Sequence, residues 1–253
     1  MLFNRPDFHN PAIDGVRGLG LLMVLVAHLL HFHSPFFTSI EKTSVISNLS
    51  GIFRADLAVD AFFVISGFLI GSILIQEYKK NSSISFKRFY FRRFLRLTPV
   101  YFVCVFLSLV CHHFMSAHLS EGSVEIEKMV GNFWTNLLYI NNFIPIQEQF
   151  MGWCWTLAVE EQFYLIAPIF VVFLFRQEFS KSGIFISLLI LSCVIRFFVV
   201  YRFGLVGERF WGEVGTDDWR KTFSLLYDNL YTRYGGLLIG FFGSYLSICH
   251  KNR

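Results

Sequence analysis

Six apolar runs, each close to the length of a bilayer crossing, govern what this chain can fold into. They lie at 13–32, 57–75, 97–115, 155–175, 183–201 and 233–249. About 20 helical residues match a hydrocarbon core about 30 Å thick. Helices are the spans that satisfy their own backbone polar groups within one segment of such a run. Charged residues make up 16% of the 253 positions against 54% apolar, well below the roughly 25% charged of soluble domains. The expected fold is therefore an all-α integral membrane domain over 1–253. It is a bundle of about six transmembrane helices, with a short interfacial or re-entrant segment within 133–144.

Charge sets the expected orientation. The stretch 79–96 holds seven Lys and Arg residues and no acid. The turn at 176–182 and the tail at Lys251 and Arg253 are also basic. Acids gather on the intervening connections, at Glu121, Glu125, Glu127 and Glu148, then at Glu208, Glu213, Asp217, Asp218 and Asp228. Basic loops favour the cytoplasmic side, so both termini are expected there. The net charge of +4 then acts through its position, and no nucleic-acid partner is expected. The first span is too long for a signal-peptide core and lacks a small-residue cleavage pattern, so it is read as uncleaved. Five cysteines without a C-x-x-C pair are read as buried, inert thiols, with neither a disulfide framework nor a zinc site.

Several spans carry groups that lipid makes costly and that point to function. The first contains Asp14, Arg17 and His28. Arg17 and His28 are eleven residues apart, about three helical turns and roughly 16 Å along one face. Arg93 and Arg96 share a face if helical, a pairing suited to phosphate oxygens. Glu160 and Glu161 sit near the outer end of the fourth span, at the depth expected for His28. A carboxylate orienting an imidazole is a general-base arrangement. Asp60 in the second span is a candidate for lining a cavity or acceptor entrance. Ser66 and Gly67 suit close helix packing, Ser66 also being a candidate substrate contact. His28, His31 and His33 lack a carboxylate at ligand spacing, so no metal is expected. The competing readings are snorkelling and topology for the arginines, and packing for the histidines. Cations on one side and an acid–base pair on the other would suit a ligand with a phosphorylated head and a long arm, the shape of acyl-coenzyme A.

The stretches IDGVRGLGLLMVLVAH, VDAFFVISGFLI, FYFRRFLRLTPVY and WTLAVEEQFYL, with YTRYGGLLIG more weakly, resemble acyltransferase family 3. These are integral-membrane O-acyltransferases of bacterial surfaces. The resemblance implies a multi-pass protein of the bacterial inner membrane. It implies acyl-CoA, acetyl-CoA above all, as donor substrate with no permanently bound cofactor. It also implies a hydroxyl-bearing acceptor such as lipopolysaccharide, peptidoglycan, a secreted glycan or a lipid-linked saccharide. Carried over by position, His28 would be the catalytic base and Arg17 part of the essential pair. Arg93 and Arg96 would bind the donor, and Glu160 would belong to the active-site motif. Two departures stand out: the family domain usually has about ten spans against six here, suggesting a C-terminally shortened form, and Gly235 replaces a usual acidic residue. A transporter or channel, and a non-catalytic subunit working with a second membrane chain or a second copy, are the rival readings.

Overall fold

A computed structural model describes residues 11–32, 55–118, 124–205 and 216–249. The long helices are α1 (Pro11–Phe32), α2 (Ala55–Asn81), α3 (Phe86–His118), α6 (Trp155–Arg176), α7 (Lys181–Phe203) and α9 (Leu230–Cys249). Shorter α4 (Val124–Gly131), α5 (Phe133–Leu137) and α8 (Asp217–Thr222) lie in the connections. No strand occurs among the described residues. Among the described residues five helices, α1, α2, α3, α6 and α7, are long and apolar enough to cross a membrane. They expose apolar residues outward: Val100, Val103 and Phe106 on α3, Ile186, Ile190 and Phe197 on α7. Water would penalise such surfaces, whereas lipid does not. The chain is a multi-pass all-α membrane protein.

The sixth expected span, α9, differs in kind. It carries Arg233 and four glycines, at 235, 236, 240 and 243, and it is the central helix of the bundle, packed most extensively on α2 and then on α7. Two glycines set the α2–α9 distance. A Cβ on Gly67 would strike the Leu237 carbonyl, and a Cβ on Gly240 would strike that of Val64. Backbones that close exclude side chains, the role small residues commonly play between membrane helices. Around this pair the core is filled by Ile70, Leu74, Val171, Leu174, Phe185 and Phe241. α1 lies against α2 through Gly20 and Phe62, and is otherwise thinly covered.

Several expectations are corrected. The third span begins eleven residues before 97, at Phe86, so Pro99 stands inside α3 rather than at its start. The basic stretch 79–96 is not a loop: the reversal is confined to 82–85, with Ser82 at φ 53°, and the ring of arginines rides on helix. The connection 116–153 folds, after residues outside the description, into α4, α5 and three single 3₁₀ turns. These pack on α3 around Tyr101, Val105, Phe150 and Met151. Cys104, Cys111 and Cys193 are exposed, and only Cys154 is buried. Lys79 Nζ donates to the Ile248 carbonyl at 3.2 Å, which puts the basic end of α2 beside the end of α9, as the alternation of spans requires. His33, the 34–54 loop, Glu121, Glu208, Glu213, Lys251 and Arg253 lie outside the described residues.

Candidate active site

Helical spacing brings side chains from four helices to one cavity of about 50 Å³. α1 contributes Arg17, and α2 contributes Ser66 with Leu69 and Ile70, which follow it on the same face. Because α3 starts early, Arg93, Arg96 and Leu97 also fall at i, i+3 and i+4 and reach the cavity together. Glu160 and Tyr164, four apart on α6, close it. Ser66 sits near the middle of the 27-residue α2, so the arginines meet level with mid-helix, Arg17 and Arg93 partly buried and Arg96 exposed.

The polar groups are held. Ser66 Oγ donates to Glu160 Oε1 at 2.6 Å. The Arg93 guanidinium lies 5.1 Å from the centroid of the buried Tyr164 ring and 6.0 Å from that of Phe89, a cation–π placement. Tyr90 Oη donates to the Leu165 carbonyl at 2.7 Å, tying α3 to α6 beside the cavity. Three guanidiniums therefore face one carboxyl group and two hydroxyls, those of Ser66 and Tyr164. Such a cavity favours an anion with several charged oxygens.

The other anticipated residues are elsewhere. His28 is on α1, exposed, with Nδ1 2.8 Å from the Val24 carbonyl; it does not line the cavity. The expected Glu160–His28 proximity is thus replaced by Glu160 beside Ser66, Arg93 and Arg17. Asp60 does not line it either, but pairs with Arg233 at 2.8 Å. Glu161 does not line the cavity, and its Oε1 is buried without a hydrogen bond among the described residues; Asp14 is exposed on the first turn of α1. Tyr164 went unnoticed in the sequence, although its i+4 offset from Glu160 was a usable signal. Also missed was a buried amide network beyond the cavity. Gln149 Nε2 donates to Asp228 Oδ2 at 2.8 Å and Asn229 Nδ2 to Oδ1 at 3.2 Å. Asn142 Nδ2 donates to the Asp228 carbonyl at 3.2 Å, and Gln162 Nε2 to Asn142 Oδ1 at 2.7 Å. Asp228 is fully buried, and burial pushes its carboxyl up to about 8, against the opposing hydrogen bond from Gln149.

An arginine-lined cavity inside a helical membrane bundle is met in more than one kind of protein, and similarity to known chains decides between them. The family model described as an acyltransferase domain, Acyl_transf_3, matches residues 10–248. The chain belongs to acyltransferase family 3. It is similar to O-acetyltransferase OatA of Staphylococcus aureus, at 29% identity over 224 residues, covering 85% of this chain and 33% of that one. It is 34% identical over 172 residues to peptidoglycan O-acetyltransferase OatA of Listeria monocytogenes, covering 64% and 24%. It also resembles nose resistant to fluoxetine protein 6 of Caenorhabditis elegans, at 27% over 213 residues, covering 76% and 26%. This acyltransferase-family chain spans a quarter to a third of the length of these curated relatives. No solved structure matches it.

Proposed function

We propose that this chain is a membrane O-acyltransferase that takes an acyl group, acetyl being the expected one, from cytoplasmic acyl-CoA and delivers it to a hydroxyl of a cell-envelope glycan. The observation that carries the reading is the meeting of Arg17, Arg93 and Arg96 with the Ser66–Glu160 pair on one cavity. Family membership and relatives named as O-acetyltransferases support the same chemistry.

The arginines hold the phosphates of the donor, Arg93 steadied by Tyr164. The pantetheine arm runs along the face of α1 that carries both Arg17 and His28, since eleven residues return to one side of a helix over roughly 16 Å. At the His28 end the acceptor hydroxyl attacks the thioester carbonyl. His28 takes the hydroxyl proton as the C–O bond forms. The C–S bond then breaks, and the departing thiolate takes the proton from the imidazolium. Alignment of both substrates along one helix supplies the orientation term.

The test uses protein purified in detergent. Radiolabelled acetyl-CoA should bind in competition with free CoA, and Arg93→Ala or Arg96→Ala should weaken binding about tenfold, the scale of one lost charged hydrogen bond. His28→Ala should keep that binding and lose transfer. Binding that ignores both arginine substitutions would overturn the donor site.

A further inference from the structure

A second cationic cluster lies outside the cavity, where α2, α7 and α9 approach one another. Arg233 is only 8% exposed. Its guanidinium is caged by the rings of Tyr227 at 4.6 Å, Phe63 at 5.6 Å and Trp155 at 5.7 Å. It pairs with Asp60 Oδ1 at 2.8 Å, and the Asp60 side chain is half exposed, so the pair reaches the surface. Arg196 of α7 lies within electrostatic reach of both. Its Nε donates to the Thr232 carbonyl at 2.5 Å. Among the described residues its two terminal nitrogens make no hydrogen bond. Gly235 lies alongside: a Cβ there would meet Ser192 Oγ at 2.8 Å and stand 4.0 Å from one of those nitrogens.

Arg233 takes the one carboxylate as its ion-pair partner and Arg196 has only its field, and in the low dielectric of a helical bundle an uncompensated cation attracts an anion strongly. We propose that Arg196, with Arg233 and Asp60 behind it, receives a carboxylate of an acidic saccharide acceptor, an inference that rests on the O-acyltransferase reading. Charge and geometry choose the ligand. A single free guanidinium fork with one excess positive charge matches a planar monoanion in bidentate contact. The three-arginine cavity instead suits a donor with several phosphate charges. Position agrees: Gly20 packs on Phe62 and Arg17 shares the cavity with Ser66, so α1 and α2 run antiparallel. Asp60 therefore lies from the cavity toward the His28 end of α1, the end at which the acceptor is needed.

The experiment measures equilibrium binding to the full chain in nanodiscs. The probes are a disaccharide bearing one carboxylate, the methyl ester of the same sugar, and acetyl-CoA in parallel. The acid should bind the wild type about tenfold tighter than the ester, the scale of one charge-assisted pair. Arg196→Gln should erase that preference, and Arg196→Lys should restore part of it, since it keeps the charge but not the fork. Equal binding of acid and ester to the wild type overturns the proposal without recourse to any variant. So does a preference that survives Arg196→Gln, or loss of co-purified anionic phospholipid from that variant with the sugar preference unchanged. Acid preference with no acetyl-CoA binding would instead strike the donor reading and leave this site standing.

Discussion

Single residues here carry unequal burdens, and Asp228 is the clearest case. It is a fully buried carboxyl contacted by the neutral amides of Gln149 and Asn229. Its folded value of about 8 lies above the usual 3.8, so the folded chain prefers the protonated form. That preference contributes stability in full below the unfolded value and loses it as pH rises to about 8. Melting temperature in detergent should therefore fall between pH 4 and pH 8 through this group, and Asp228→Asn should flatten that slope. Tyr164 offers a second test. Replacing it with Leu removes the ring beside Arg93 and should weaken acetyl-CoA binding by about 2- to 30-fold, the range of a cation–π contact. Ser66→Ala leaves Glu160 without its 2.6 Å donor and should cost about 1–3 kcal/mol of stability, measured by chemical denaturation.

At the scale of elements, the α2–α9 crossing decides the rest. Gly67 and Gly240 allow each backbone to meet the other's carbonyl. Gly240→Ala should therefore force the helices apart and cost at least about 1–3 kcal/mol, as overpacking does. Gly243 is the control. A Cβ there finds the Phe68 ring at 3.8 Å, an ordinary contact, so Gly243→Ala should not lower the melting temperature. Equal losses from both substitutions would show that glycine content, not the crossing, matters. The early start of α3 is the other decisive element. Had the helix begun at Pro99, Arg93 and Arg96 would have sat on flexible chain. Pro99 inside the helix instead removes one backbone donor and crowds the Leu95 carbonyl one turn back.

For the molecule as a whole, the bundle separates two charged regions along α2. The cavity holds Arg17, Arg93 and Arg96 at mid-helix, and Asp60 with Arg233 lies nearer the start. A transfer reaction along this axis makes one global prediction. Arg17→Ala and Arg93→Ala should raise the KM for acetyl-CoA and leave that for the acceptor alone, whereas His28→Ala should lower kcat with the KM for acetyl-CoA retained. Steady-state kinetics with both substrates varied separates the two patterns, and a shared loss of donor affinity in all three would place His28 with the arginines.

Periodicity and composition alone determined the class of this chain, because a run of about 20 apolar residues has one economical solution in lipid. They also determined which arginines would share a face, since R-x-x-R is a statement about one helix. What lay between helices was decided only by tertiary packing. The partnership of Ser66 with Glu160, the platform of Tyr164 beneath Arg93 and the pairing of Asp60 with Arg233 each join residues from different spans. Asp228 read as one more acid in a polar connection until the fold buried it against Gln149. The separation of His28 from Glu160 came from the same source: helix rotation and register follow from which helices pack together, and span length carries no information about that.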